Sequence, residues 1–143
     1  MEKTHVEYMR YRAGIVIYCP LEKKILLIRR KKPDREYWVV PGGGLEAHES
    51  YEQAAVRELR EELELPVRQM SELCTINLDN STEKYFISYS DSCGKVEMHG
   101  EELKRSAVDN IYEPVWVDVS SIQHITLLPV ELKKRLQEMN WKG

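Results

Sequence analysis

Apolar and β-branched residues run from Ala13 to Tyr18 and again from Ile25 to Ile28, and both runs read as strands. Pro20 and the charged residues up to Lys24 break the pattern between them, which predicts a turn and an opening hairpin. Trp38 to Val40 is a third, shorter strand. The period then changes. Ala55, Leu59 and Leu63, with Val56 beside them, recur at helical spacing and predict a helix over 50–63. Ser50 and Gln53 supply a capping box at its start. Leu73 to Leu78 and Tyr85 to Tyr89 are two further strands, and Asp91 to Gly94 is a turn. Residues 96–110 form a polar, charged connection, and Val115 to Val119 a late strand. Leu132, Leu136 and Met139 at i, i+4 and i+7 predict a closing helix with Pro129 in its first turn. Strands on both sides of one helix, with a second helix at the end, imply an α+β fold with a mixed sheet between helices.

Composition narrows this. The chain has 143 residues, enough for one domain spanning 1–143 with a real core. With 42% hydrophobic and 31% charged residues, it reads as a soluble globular protein. A net charge of −3 offers nothing to bulk nucleic acid. No run approaches the ~20 apolar residues of a membrane span, and no apolar signal run opens the sequence, so a cytoplasmic location is expected. Cys19, Cys74 and Cys93 fit no zinc or disulfide spacing and read as reduced thiols. The four histidines, His48 in a loop among them, form no metal-ligand pair on one helix.

The predicted helix carries chemistry. Glu58, Glu61 and Glu62 stand at i, i+3 and i+4, neighbours on one helical stripe next to the apolar one. By itself such a trio reads as a solvated face, partly neutralised by Arg57 and Arg60. A hard divalent cation is the other compensation, because Mg²⁺ takes oxygen ligands and keeps part of its shell for water and substrate phosphates. Pro41 and the glycines Gly42 to Gly44 lead into the helix as a turn.

The full spacing decides between these readings. Gly43, Glu49, Arg57, Glu58, Leu59, Glu61, Glu62 and Leu65 stand where the Nudix box has Gly, Glu, Arg-Glu, an aliphatic residue, Glu-Glu and a closing aliphatic residue. The chain therefore resembles the Nudix hydrolase (MutT-like) family over roughly residues 12–139. One position departs: Glu64 stands where the family has glycine, a place suited to a left-handed helix end. Pro66 would stop the helix in any case.

The resemblance implies a Nudix fold, with a mixed β-sheet in an α/β/α sandwich. It also implies hydrolysis of a diphosphate linkage in a nucleotide, by water attack at phosphorus. Mg²⁺ is the implied cofactor, with Mn²⁺ as a substitute. Glu58, Glu61, Glu62 and the carbonyl of Gly42 are the implied metal ligands. Arg57 would hold the carboxylates, and Gly43 and Glu49 would lie behind the ligands. The catalytic set is Glu61, Glu62, Arg57 and a general base on the later loop, for which His99-Gly100-Glu101-Glu102 points to Glu102. Arg12 and Arg29 are expected to grip substrate phosphates, while Arg30 to Lys32 read as a charged strand exit. Tyr8, Tyr11, Trp38 and Tyr85 are the aromatic residues available to stack on a base, though each reads first as core or rim.

No motif marks the NADH, coenzyme A or ADP-ribose enzymes. By elimination the expected substrate is a nucleoside triphosphate, oxidised or otherwise non-canonical ones included. The alternatives are an ADP-ribose or nucleotide-sugar pyrophosphatase and a nucleotide-binding sensor without turnover. An RNA 5′-end hydrolase would want a basic surface that a net charge of −3 does not offer. The expected partner is a small-molecule nucleotide, with no nucleic acid and no membrane. The family admits a homodimer, and no apolar patch in the sequence marks an interface.

Overall fold

A computed structural model of the protein describes residues 9–100 and 106–141. Within them a seven-stranded mixed sheet runs in the order β3-β2-β1-β6-β5, with β4 paired to β1 and β7 to β2. The strands are β1 (Arg10–Cys19), β2 (Lys24–Lys32), β3 (Arg35–Val39), β4 (Gly42–Gly44), β5 (Met70–Leu78), β6 (Ser81–Tyr89) and β7 (Ile111–Asp118). The helices are α1 (Tyr51–Leu63) and α2 (Val130–Gln137), with a 3₁₀ turn at Val119–His124 that the sequence pattern did not announce. β1 and β6 are parallel and the other pairings antiparallel, as a mixed sheet requires.

Alternating residues of the central strands face two separate apolar layers. Val16 and Tyr18 of β1 and Ile25 and Leu27 of β2 pack with Ile122, Leu132 and Leu136 on one side. Ala13, Ile15, Ile17, Leu26 and Ile28 pack with Ala54, Ala55, Leu59 and Leu63 of α1 on the other. Burial on both faces explains why these strands read as unbroken apolar runs. Each fully buried Leu or Ile is worth about 2 kcal/mol in transfer terms. The result is the α/β/α sandwich expected.

Most strands extend beyond the apolar runs that announced them, because backbone pairing continues where side chains become polar. β7 takes in Pro114, opposite Ile28. Among the described residues β7 pairs with β2 alone, an edge arrangement in which a missing N–H is tolerated. Pro129 stands at the N-cap of α2, one residue outside the expected first turn.

The hairpin joins β1 and β2 near its turn, through Tyr18 with Ile25 and Cys19 with Lys24. Further along, β2 pairs with β3 while β1 pairs with β4. The chain from β3 to β4 thus crosses the opening between the two arms. One correction follows: Gly42–Gly44 forms a short strand, registered as Arg12 with Gly44, Ala13 with Gly43 and Gly14 with Gly42, rather than a turn.

Helix α1 begins as its sequence predicts. The Ser50 hydroxyl accepts from the Gln53 amide at 3.1 Å, and the Gln53 side chain accepts from the Ser50 amide at 2.9 Å. It ends at Glu64 in the left-handed conformation, φ 54° and ψ 33°, with its N–H donating to the Arg60 carbonyl. Glutamate pays roughly 1–2 kcal/mol of backbone strain where glycine would not. The segment after β6 returns to this end. Met98 is buried in the α1 layer, and the His99 N–H donates to the Glu62 carbonyl at 2.6 Å.

Candidate active site

The glycine strand β4 lies directly on the carboxylate stripe of α1. A Cβ on Gly43 would stand 2.5 Å from the Glu58 carboxylate, so glycine there leaves the carboxylate room to lie against the strand. The Gly42 N–H donates to Glu62 Oε1 at 3.1 Å. Two of the three carboxylates of the stripe are thereby shielded. Glu62 is 6% exposed and the Glu58 side chain 16%, while the Glu61 side chain is 59% exposed.

Arg57 organises the surroundings. Its Nε and one terminal nitrogen donate to the two oxygens of Glu49 at 2.7 and 2.9 Å. The terminal nitrogen that binds Glu49 also donates to the Gly44 carbonyl at 3.0 Å, and the other one donates to Glu58 Oε2 and Glu61 Oε1, both at 3.0 Å. A planar fork of fixed donors thus ties the loop before the helix, the glycine strand and the helix itself into one rigid unit. Glu49 also accepts from the Glu46 amide at 2.9 Å. The Arg57 bond first, and that amide second, hold the Glu49 carboxyl down at about 2. Hydrogen bonding to Glu49, and then to Glu58, raises Arg57 further above its ordinary range.

The donor set suits a hard cation. All the side-chain groups are carboxylates, and they sit beneath a strand whose backbone approaches them closely. Among the described residues no three His, Cys, Asp or Glu side chains close into a metal cage. Mg²⁺ does not need one, since it is held by one or two carboxylates and completes its octahedron with water and substrate phosphate.

Beside β4 lies a cleft of about 360 Å³, lined by Arg12, Gly14, Val40, Gly42, Glu83 and Tyr85, with Leu128 and Pro129 closing it from the α2 side. A Cβ on Gly14 would meet the Tyr85 ring at 2.6 Å, so glycine there lets the ring lie across the strand. Glu83, 9% exposed, stands opposite Arg12 in the β1–β6 register. It accepts from the Tyr85 hydroxyl at 2.5 Å and from the Ser81 hydroxyl at 3.1 Å, with Arg12 Nε 4.0 Å away. Burial, and then the bond to Glu83, raises the Tyr85 phenol above its ordinary value of 10, so it stays a donor. Gly42 lines this cleft and bonds to Glu62, joining cleft and carboxylate stripe through one residue.

The sequence reading missed Glu83 because it started the strand at Tyr85. The strand begins at Ser81, and period-2 alternation then puts Glu83 on the same buried face as Tyr85 and Ile87. An acid on a core-facing position was the available signal.

Other expected residues lie elsewhere. Arg29 is not among the residues lining the cleft. Its guanidinium pairs across the sheet with Glu36 at 2.7 Å and Glu113 at 3.1 Å. Its neighbour Arg30 stacks on Tyr112, 3.6 Å from the ring centroid. Of the aromatic residues, Tyr85 lines the cleft, Trp38 packs against the α2-side layer and Tyr11 is exposed. Tyr8, Glu101 and Glu102 lie outside the described residues. His48 is exposed in the loop before α1, and the three cysteines are free. No helix among the described residues is long and apolar enough to cross a membrane.

The NUDIX domain model matches residues 9–138, and the chain belongs to the Nudix hydrolase family, whose members act on diphosphate bonds. The solved structures it resembles include a MutT Nudix hydrolase from Burkholderia pseudomallei, 22% identical, covering 94% of this chain and 100% of that one with a TM-score of 0.70. A MutT structure described for Aliivibrio salmonicida and Vibrio cholerae is 21% identical, covers 92% and 99%, and gives 0.68. The Nudix domain of Shewanella oneidensis NrtR, complexed with ADP ribose, is 18% identical, covers 93% and 89%, and also gives 0.68. No curated protein matches the sequence.

Proposed function

We propose that the protein is a Mg²⁺-dependent pyrophosphohydrolase that cleaves a diphosphate linkage in nucleoside triphosphates or related nucleotides, oxidised and other non-canonical ones among them. The observation that carries this is the seating of β4 on α1. Gly43 leaves room for the Glu58 carboxylate, and the Gly42 amide fixes Glu62 one helical turn further on. Glu58, Glu61 and Glu62, with the Gly42 carbonyl, are the groups to hold the metal. Mg²⁺ bound there would neutralise charge on the phosphoryl oxygens, the main requirement of phosphoryl transfer.

The rest falls to the chain itself. Arg57 and Glu49 keep the carboxylates in place before substrate arrives, so no reorganisation accompanies the reaction. Glu61, Glu62 and Glu102 are the groups proposed to orient the attacking water and take its proton. Arg12, 46% exposed at the cleft, is the proposed contact for an anionic substrate, and the apolar walls of Val40 and Leu128 suit a nucleobase. Arg29, tied to two carboxylates across the sheet, is withdrawn from that role.

The ADP ribose bound to the Shewanella neighbour supports a second reading, an ADP-ribose pyrophosphatase on the same site. Phosphate and pyrophosphate release across a panel of nucleotides, with Mg²⁺ and with chelator, separates the two. Metal-dependent pyrophosphate release from triphosphates is the expected result. Cleavage of ADP-ribose or nucleotide sugars alone would keep the metal site and overturn the substrate. Binding without turnover on any compound would make the protein a sensor.

A further inference from the structure

The cleft holds one feature that diphosphate hydrolysis does not use: a carboxylate held on its floor. Glu83 is nine-tenths buried on a core-facing strand position. A bare carboxylate there would be costly, and two hydroxyls offset the cost by donating to it. Tyr85 binds Oε1 and Ser81 binds Oε2. Each carboxylate oxygen accepts about two hydrogen bonds. One acceptor position therefore remains on each oxygen, with the side chain locked by its two partners. Arg12 Nε, at 4.0 Å, is beyond hydrogen-bond reach of them.

Two acceptors side by side demand two donors side by side. Among nucleobases, guanine and its 8-oxo form present such an edge, the ring N1–H next to the exocyclic N2–H₂. Uracil and thymine offer one N–H flanked by carbonyl oxygens, which a carboxylate repels. Adenine and cytosine offer an amino group beside a ring-nitrogen acceptor. A site built to pair with donors discriminates strongly against bases lacking them, because its buried acceptor is left unpaired.

We propose that Glu83, locked by Tyr85 and Ser81, is the specificity-determining residue of this cleft, and that it selects nucleotides whose base edge carries two adjacent N–H donors, the guanine type. This rests on the reading of the cleft as the nucleotide site. The test is calorimetric binding of GMP, AMP, CMP and UMP in Mg²⁺ buffer, which needs no turnover. Wild type is expected to bind GMP at least tenfold more tightly than the others. Glu83→Gln, which replaces one acceptor with a donor at constant shape, weakens GMP at least tenfold and the others less than threefold. In turnover the same variant raises KM for GTP with kcat within threefold. Tyr85→Phe removes a supporting donor but not the acceptor, and retains the order of preference. Equal binding of all four monophosphates by wild type overturns the inference, as does a Glu83→Gln variant that loses all four equally. Metal-dependent pyrophosphate release without any base preference overturns this inference alone. A GMP preference without release supports it while overturning the hydrolase reading.

Discussion

Arg57 and Arg29 are both arginines held by carboxylates, and they serve opposite ends. Arg57 uses every edge of its guanidinium, on Glu49, Glu58, Glu61 and the Gly44 carbonyl. Its partners Glu49 and Glu58 are largely shielded from solvent. Arg29 pairs with Glu36 and Glu113, each about half exposed, across the β2–β3 and β2–β7 pairings of the sheet. The contacts are of the same kind and similar length. What differs is burial and what the contact joins. Arg57 ties a loop, a strand and a helix together where the backbone closes over the carboxylates, whereas Arg29 decorates a sheet that pairing already holds. Charge complementarity alone does not single out a site, since exposed ion pairs are common and weak; the proposed site is the one where separate elements converge on shielded charges.

This contrast can be tested in descending order of effect. Glu62→Gln keeps the shape and removes the charge at the best-buried position of the stripe. Turnover should fall by at least ~100-fold, a loss typical of removing a group that stabilises transition-state charge. Wild-type kcat for metal-dependent release in a folded variant would reject Glu62 as a ligand. Gly43→Ala places a methyl group against the Glu58 carboxylate and should lower metal affinity or activity by roughly 10- to 100-fold. Mg²⁺ titration of activity reads it, and an unchanged midpoint and rate would show that Glu58 can sit elsewhere without cost.

The third test is of pH. Arg57 holds the folded-state Glu49 carboxyl at about 2, below its ordinary 4.5. A depressed carboxyl adds its stability fully above the unfolded value, and loses it as pH falls through the folded one. Wild type should therefore exceed Glu49→Gln in Tm above pH 4.5, with the gap closing as pH falls toward 2. A gap that stays constant over that window would show that the pair contributes through shape alone. The smallest effect belongs to Arg29→Met. Exposed pairs of this kind contribute about 0–1 kcal/mol, so stability should move by no more than that and turnover by less than twofold. A tenfold loss of kcat/KM would return Arg29 to the substrate site.

Much of this architecture was legible along the chain. Ser50 and Gln53 announced the start of α1, because capping involves residues three apart. Glu64 took the left-handed conformation expected at that box position, because the end of a helix is also a local matter. The buried runs of β1 and β2 were visible as continuous apolar sequence. Residues that depend on distant partners were not legible. Arg29 looked as available as Arg12 until Glu36 and Glu113 arrived from β3 and β7. Glu83 looked like a charge outside its strand until Arg12 faced it across the β1–β6 register.

The sequence by itself determined the spacing of the acidic positions, the caps of α1, the two-sided burial of the central strands and the family, since each is written in residues close together in the chain. Only the tertiary structure decided that Gly42–Gly44 pairs as a strand against β1 and shields Glu58 and Glu62. It also decided which arginine faces the cleft, and that a buried carboxylate lies on the cleft floor. The reason is physical: hydrogen-bond periodicity is local, whereas the desolvation of a charge is set by whichever segments fold over it.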